Sequence, residues 1–422
     1  MPEWLVFLVM VAVFAALAMG ARFPIGLALA LGAVAGALVD GHGPSPRHLL
    51  EGAFGYFDTI LIIVTATIFI KVLEASGALD TAAHGLLRAF YRSRALLLLA
   101  VMLILMFPGM LTGSSVSAIM SIGPIAAPVL MKLGLSRPRT GALVAMGGIL
   151  GMIAPPVNVL VMIMGSGVDM PYVGVTLPLL LIVGPLAVAV PLILGFRQLR
   201  VIGREEMLAI VPPSSWPQYR LRLVIPFAVL LVLMAAPGLT GGRVPDIGIP
   251  AAFLAASLAG LVSGRRLNFL KASRKAVEEA MPILAILAGV GMFIQVMTLT
   301  GARGWTVVSI LSLPSWFLYL GIALSLPAFG GVSTFGSASI LGIPFILALV
   351  GRNALLTSAA LSAIAGLGDL VPPAAVSVRF AAQVVGEKRI GGILRHCLVP
   401  ALLQLAVGLA VLILAPLLDR LI

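Results

Sequence analysis

Long apolar runs recur along the whole of this 422-residue chain, and they limit it to one class of protein. The runs cover 4–20, 23–39, 56–73, 141–165, 173–196, 223–236, 247–262, 277–299, 354–378 and 398–418. About 20 apolar residues in an α-helix cross the roughly 30 Å of hydrocarbon in a bilayer. The runs are continuously apolar, without the alternation of a membrane β-barrel. The sequence therefore predicts an all-α integral membrane protein in a lipid bilayer.

Composition excludes several other classes of protein. Only 10% of the residues are charged, against about 25% in a soluble domain. The net charge of +12 comes from basic residues in the short breaks between runs, which is typical of membrane topology and not of nucleic-acid binding. One cysteine and four histidines without ligand spacing exclude a disulfide framework and a zinc site. No phosphate-binding loop or catalytic constellation occurs, so we expect no enzyme, no nucleic-acid partner and no cofactor beyond coupling ions.

Two apolar stretches, 95–131 and 315–350, are interrupted by segments rich in glycine, serine and threonine at 108–117 and 327–337. About 12 apolar residues flank each interruption on either side, and 12 helical residues rise only about 18 Å. Because such arms are too short to cross a bilayer, each stretch is predicted to be a re-entrant helical hairpin with its tip near the midplane. A single long helix kinked at proline is the alternative.

Each hairpin is followed by a helix that a proline pair interrupts. The first broken helix, 141–165, contains Pro155-Pro156, and the second, 354–382, contains Pro372-Pro373. Two prolines within a helix remove backbone donors and leave carbonyl groups free. In a membrane these carbonyls need partners, and a bound cation is a partner that transport can use.

The hairpin and the proline pair recur in the same order at nearly the same spacing, which indicates an internal duplication. The predicted repeats are 1–200 and 223–422, joined by a cytoplasmic linker at 201–222. If the N-terminus is periplasmic and each hairpin returns to its own side, 22 of the 27 lysines and arginines lie on the cytoplasmic side, in accord with the positive-inside rule. The two halves are then inverted repeats, an architecture of secondary transporters.

The hairpin tips and proline breaks supply hydroxyl and carbonyl oxygens, which are ligands that transporters use for sodium. One predicted sodium site consists of Ser114, Ser115 and Gly151, and its repeat mate of Ser333, Thr334 and Gly368. The other candidate ion- and substrate-binding residues are Thr112, Gly113, Gly148, Pro155, Pro156, Gly336, Ser337, Gly366, Pro372 and Pro373. The alternative is that the small residues only let helices pack closely.

Three further polar residues are candidates for the site. Asp369 is the only carboxylate predicted near the middle of a span, and such a group is a functional candidate because burying it is costly. It could be a sodium ligand, a proton carrier or one half of a structural pair. Asn158, just after the first proline pair, is a weaker candidate in the same region. Arg379 could hold a substrate carboxylate if it reaches inward, but the cytoplasmic interface is the favoured interpretation.

The segment 112–123 resembles the first hairpin tip of the large permease subunit of TRAP (tripartite ATP-independent periplasmic) transporters. The segments 153–156 and 370–373 look like that family's two proline-pair breaks, and 297–301 looks like its mid-chain segment. The resemblance implies an elevator-type, sodium-coupled permease for organic acids such as dicarboxylates. It also implies the bacterial cytoplasmic (inner) membrane, a small four-helix membrane subunit and a periplasmic substrate-binding protein as partners.

Two features depart from that family's pattern. The second tip has the segment 330–335, Gly-Gly-Val-Ser-Thr-Phe, where the family often has an acidic residue followed by proline, and Asp369 is not expected from the family. These departures leave a second interpretation open. It is a stand-alone carboxylate or inorganic-anion transporter of the same ion-transporter superfamily, coupled to sodium or protons.

Overall fold

The computed structural model of the protein describes residues 1–200, 205, 214–241, 243, 245–349 and 351–419, and every regular element in these ranges is a helix. The helices of the first half are α1 Glu3–Ala15, α2 Ile25–Val39, α3 Pro46–Phe54, α4 Phe57–Ser76, α5 Ala78–Phe90, α6 Arg94–Thr112, α7 Ser115–Lys132, α8 Arg137–Met152, α9 Val159–Gly167 and α10 Thr176–Gly195. A π-helical turn at Ala16–Gly20 continues α1.

The second half contains the same kinds of element. Its helices are α11 Trp216–Tyr219, α12 Ile225–Leu239, α13 Ile249–Gly260, α14 Phe269–Leu299, α15 Ala302–Leu311, α16 Ser315–Gly330, α17 Thr334–Ser337, α18 Ile343–Ala348, α19 Ala354–Gly366, α20 Val376–Val385 and α21 Ile390–Leu418. Short 3-10 segments occupy Arg220–Val224 and Leu367–Leu370, and a π-helical turn occupies Ala338–Gly342.

The predicted fold class is confirmed. Among the described residues, eight helices are long and apolar enough to cross a membrane. Each half ends with a two-armed hairpin, a helix broken at a proline pair and a long closing helix. The repeat boundaries themselves stay a prediction. Most of the predicted linker 201–222 and the last three residues, 420–422, lie outside the described residues.

The arms of the first hairpin are longer than the sequence predicts. Helix α6 has 19 residues and α7 has 18, so each rises about 28 Å. Pro108 lies inside α6, and the helix continues to Thr112, whose hydroxyl donates to the carbonyl of Pro108 at 2.8 Å. The expectation of 12-residue arms was wrong because one proline removes a single backbone donor without necessarily ending the helix. In the second hairpin, α16 has 16 residues and the returning arm is divided into α17, the π-helical turn and α18.

The two hairpin tips share a serine at the start of the returning arm, and the first tip also has a left-handed glycine. Gly113 adopts a left-handed conformation with φ +62° and ends α6, a backbone geometry that glycine adopts without steric cost. Ser114 then begins the returning arm, because its Oγ accepts a hydrogen bond from the backbone N–H of Ser117 at 3.3 Å. In the second hairpin, Ser333 Oγ accepts from the N–H of Gly336 at 3.0 Å. Both serines are therefore helix N-caps.

Each hairpin packs closely against the broken helix of its own half. A Cβ atom on Gly151 would lie 2.5 Å from the carbonyl oxygen of Met106 in α6. A Cβ atom on Gly368 would lie 2.5 Å from Gly330 Cα in α16. Only glycine fits at these two glycine crossings, the points where Gly151 and Gly368 meet the hairpin of their own half. Both glycines were predicted as ion-site residues. Close helix packing, the alternative interpretation for the small residues, is what the structure shows at these positions.

Candidate functional site

Asp369 is the centre of the most polar buried region that the hairpins form. It lies in the 3-10 segment just before the second proline pair, and its side chain is 6% exposed. Thr334 donates its hydroxyl hydrogen to Asp369 Oδ1 at 2.6 Å, and Ser377 donates to Oδ2 at 2.9 Å. Ser115 also donates to Oδ2. One carboxylate therefore accepts three hydroxyl hydrogen bonds.

The three donors come from three different elements. Ser115 is the first residue of α7, after the first hairpin tip, and Thr334 is the first residue of α17, after the second tip. Ser377 is the second residue of α20, where the broken helix resumes. The tips of both hairpins therefore meet at one buried carboxylate.

The chemistry of this site suits a small cation. Among the described residues no lysine, arginine or histidine forms an ion pair with Asp369. Hydroxyl donors reduce the cost of burying the carboxylate charge. Each hydroxyl also has lone pairs and a hydrogen that can rotate away, so the same oxygens can become ligands when a cation approaches. The described residues contain no group of three histidine, cysteine or acidic side chains placed to hold a metal ion.

The proline breaks are tied to the hairpins through the backbone. Val157 N–H donates to the carbonyl of Met110 at 3.0 Å, just before the first tip. Ala374 N–H donates to the carbonyl of Gly331 at 3.0 Å, in the corresponding place of the second half. Each hairpin tip is therefore joined to the break beside it by a backbone hydrogen bond.

Asn158 holds the first break together. Its side chain is fully buried, and its Oδ1 accepts from the N–H of Val161 at 3.0 Å, which caps α9. Its Nδ2 donates to the carbonyl of Ile153 at 2.9 Å and to Ser362 Oγ at 3.0 Å. Tyr172 Oη accepts from the N–H of Asn158 at 2.7 Å and donates to the carbonyl of Pro156 at 3.1 Å. Side-chain donors thus satisfy the carbonyls of Ile153 and Pro156 at the break.

The remaining candidates have mainly structural surroundings. Thr112 and Ser337 donate to main-chain carbonyls of their own hairpins. A Cβ atom on Gly148 would lie 2.8 Å from the carbonyl of Ser115, and one on Gly366 would lie 2.9 Å from Ile153 Cγ2. The predicted sodium sites grouped Ser115 and Thr334 with different glycines. The structure brings these two hydroxyls to a single carboxylate, and sodium binding at either group stays a prediction.

Sequence reasoning missed two kinds of polar residue. The first kind is a set of hydroxyl groups beside the proline breaks, which no sequence motif surrounds: Ser377, Ser362 and Tyr172. Only their positions, after or opposite a break, could have suggested a role. It also missed the charged cluster of Lys71, Glu74 and Glu279. Lys71 Nζ lies 2.8 Å from Glu74 Oε2 and 2.7 Å from Glu279 Oε2, and its side chain is 10% exposed.

The charged cluster connects the first hairpin to its neighbours. Glu74 belongs to α4 and Glu279 to α14, whereas Ser121 belongs to the hairpin arm α7. Ser121 Oγ donates to Glu74 Oε1 at 2.5 Å. The structure places Lys71 between two carboxylates beside the hairpin.

Comparisons with known proteins agree with a transporter. Residues 2–196, just under half of the chain, match the sequence model of the Na+/H+ antiporter family. No curated protein matches the chain by sequence. Among solved structures 24 chains match it. One is the crystal structure of the Alcanivorax borkumensis YdaH transporter, with 18% identity, 86% of each chain covered and a TM-score of 0.58.

The structural match shows the fold, and the family match is confined to the first half of the chain. The matched first half includes the first hairpin and the first proline break, whereas Asp369 lies beyond it. Neither match is specific to TRAP large permeases, so that narrower resemblance stays a prediction. The chain has the fold of a solved membrane transporter, and its first half is similar to the Na+/H+ antiporter family.

Proposed function

We propose that this protein is a secondary transporter that moves an organic acid across the bacterial cytoplasmic membrane together with a cation bound at Asp369. The observation that carries the proposal is the buried carboxylate of Asp369, which accepts hydroxyl hydrogen bonds from the tips of both hairpins. An ionisable group at such a position is a functional candidate by default. Discontinuous helices beside it are typical of the ion and substrate sites of secondary transporters.

Cation binding at Asp369 would order both hairpins at once. Ser115 and Thr334 begin helices in different halves of the chain, so a cation that uses both hydroxyls joins the two tips. The cation also neutralises the carboxylate, which removes the cost of carrying a buried charge through the bilayer. The site with a bound cation can then move through the bilayer at low cost, whereas the empty site, with its unpaired charge, cannot. This difference is what coupling requires.

Sodium is the proposed coupling ion. Asp369 and its three hydroxyl neighbours offer hard oxygen ligands, and a proton would need only the carboxylate. The similarity of residues 2–196 to the Na+/H+ antiporter family is consistent with the handling of sodium.

The same similarity favours a second candidate function, the exchange of sodium for protons. In that case Asp369 would bind the two cations alternately, and no organic substrate would be needed. The two functions differ in a measurable way. Exchange acidifies or alkalinises the lumen of a vesicle when sodium moves, whereas the leading proposal requires an organic acid to move with sodium.

The TRAP-type form of the proposal requires partners. It predicts that uptake needs a small four-helix membrane subunit and a periplasmic substrate-binding protein, as the sequence resemblance implies. The stand-alone form needs neither. Uptake of organic acids into proteoliposomes with and without these two proteins distinguishes the forms.

The decisive experiment compares sodium-driven succinate uptake by wild type, Asp369→Asn and Asp369→Glu in proteoliposomes. We expect Asp369→Asn to abolish the dependence on a sodium gradient, because the amide removes the negative charge. Asp58→Asn is the matched control, since Asp58 is exposed at the start of α4, away from the hairpin tips. Unchanged sodium-driven uptake by Asp369→Asn would show that another group couples the ion.

A further inference from the structure

The two proline breaks differ in exposure. At the first break Pro155 is buried and Pro156 is half-buried, and Tyr172 covers the Pro156 carbonyl. At the second break Pro372 and Pro373 are both exposed. The second break is therefore open to a ligand from outside the protein, although the Asp369 carboxylate beside it is buried.

An arginine takes the place that Tyr172 has at the first break. Arg379 Nη2 donates to the carbonyl of Pro373 at 2.6 Å, and the side chain is exposed. In the part of the chain that the structure describes, Arg379 forms no ion pair with a carboxylate. A guanidinium group has five N–H donors in a planar fork. One is used on Pro373, so the geometry leaves donors for a further acceptor.

Helix α20 carries both the Arg379 guanidinium and the Ser377 hydroxyl, which belongs to the proposed cation site. Ser377, in the first turn of α20, donates to Asp369, whereas Arg379, two residues later, points towards the exposed side of the break.

We propose that Arg379 binds a carboxylate group of the transported organic acid at the exposed face of the second proline break. This inference rests on the proposed function and assigns the substrate contact for it. Guanidinium and carboxylate groups pair through two parallel hydrogen bonds, which an ammonium group cannot reproduce. Arg379 therefore selects for anionic, carboxylate-bearing substrates.

The order of binding follows from the charges. In the proposed order, the empty cation site repels an approaching carboxylate because the two carboxylate groups carry like charge. A cation on Asp369 removes the repulsion. Substrate therefore binds at Arg379 after the cation binds at Asp369, and the two affinities are thermodynamically linked.

The test measures ligand-induced shifts in the unfolding temperature of the purified full-length chain. The probes are sodium alone and then acetate, succinate or citrate at saturating sodium. The variants are Arg379→Gln, Arg379→Lys and the control Arg389→Gln. Arg389 is exposed on the same predicted cytoplasmic side, at the start of α21, and its removal changes the net charge equally.

We expect Arg379→Gln to raise the carboxylate concentration for a half-maximal shift by about tenfold or more, since a charge-assisted hydrogen bond is lost. Arg379→Lys should recover only part of the affinity. Arg389→Gln should behave as wild type. All three variants should keep the sodium-induced shift, which also shows that they are folded.

Three outcomes would overturn the proposal. The first is that no carboxylate shifts the wild type, and the second is that Arg379→Gln binds carboxylates normally. The third is that Arg379→Gln changes only the stabilisation by phosphatidylglycerol relative to phosphatidylcholine nanodiscs, which would make Arg379 a lipid-headgroup contact. Failure of the proposed function looks different, because sodium would then give no shift that depends on Asp369.

Discussion

Ser115 and Thr334 donate hydrogen bonds to different oxygens of one carboxylate, Asp369 Oδ2 and Oδ1, from opposite hairpins. They lie 254 and 35 residues from Asp369 along the sequence. Each follows the serine that caps its hairpin's returning arm. The two tips are equivalent in position, but the carboxylate that they share comes from the second half of the chain.

The first prediction concerns the two tip hydroxyls. Thr334→Val, which keeps the shape of the side chain, should weaken cation binding by about 10-fold or more, whereas Thr334→Ser should remain close to wild type. In a double-mutant cycle with Ser115→Ala, the two effects should not add, since both hydroxyls act on one bound ion. The sodium dependence of thermal unfolding gives these affinities. Full additivity would place the two hydroxyls in separate ion sites.

The second prediction concerns the glycine crossings. Gly368→Ala should destabilise the protein by about 1–3 kcal/mol, because the new Cβ atom would meet the Gly330 backbone. Gly304→Ala is the matched control, since nothing lies within 4 Å of its Cβ position and alanine favours the helix. Thermal unfolding in one detergent compares them. Equal stability of the two variants would mean that the hairpin does not need this close approach.

The third prediction separates Asn158 from the ion site. Asn158→Ala should lower stability by about 2–3 kcal/mol, because it removes a helix cap and two buried hydrogen bonds. Tyr172→Phe should cost about 1 kcal/mol. Both variants should keep wild-type sodium affinity when assayed below their unfolding temperatures. A large loss of sodium affinity in Asn158→Ala, without a loss of stability, would instead make Asn158 an ion ligand.

The fourth prediction concerns the bond between Ser121 and Glu74, which joins the first hairpin to α4. If the hairpins move relative to α4 during transport, this bond must break in each cycle. Ser121→Ala should then raise the maximal transport rate by roughly 3- to 10-fold and leave sodium affinity unchanged. Thr298→Ala is the control, because the exposed Thr298 hydroxyl bonds only to its own helix. An unchanged rate in Ser121→Ala would show that the hairpin and α4 move together.

Much of the architecture could be predicted because membrane insertion leaves a strong local signal. Long uncharged runs predict the spans, and the helices do break at Pro155-Pro156 and Pro372-Pro373. The lengths of the hairpin arms could not be predicted. Helix α6 continues past Pro108 because one proline removes a single backbone donor and the neighbouring turns keep theirs.

The candidate site was predicted only in part. Asp369 stands out because a carboxylate within an apolar run is costly to bury. Ser377 does not stand out, because a serine early in a helix is ordinary and its partner is set by the turn of the chain around Pro372-Pro373.

The sequence by itself determined the helical class, the order of the elements and the presence of one unusual carboxylate, because these depend on local polarity and on where backbone donors are missing. Only the tertiary structure decided that Ser115 and Thr334 share Asp369 and that Arg379 lies at an exposed break. The physical reason is that hydrogen bonds between distant segments depend on how the hairpins pack across the two halves. No local pattern of residues specifies that packing.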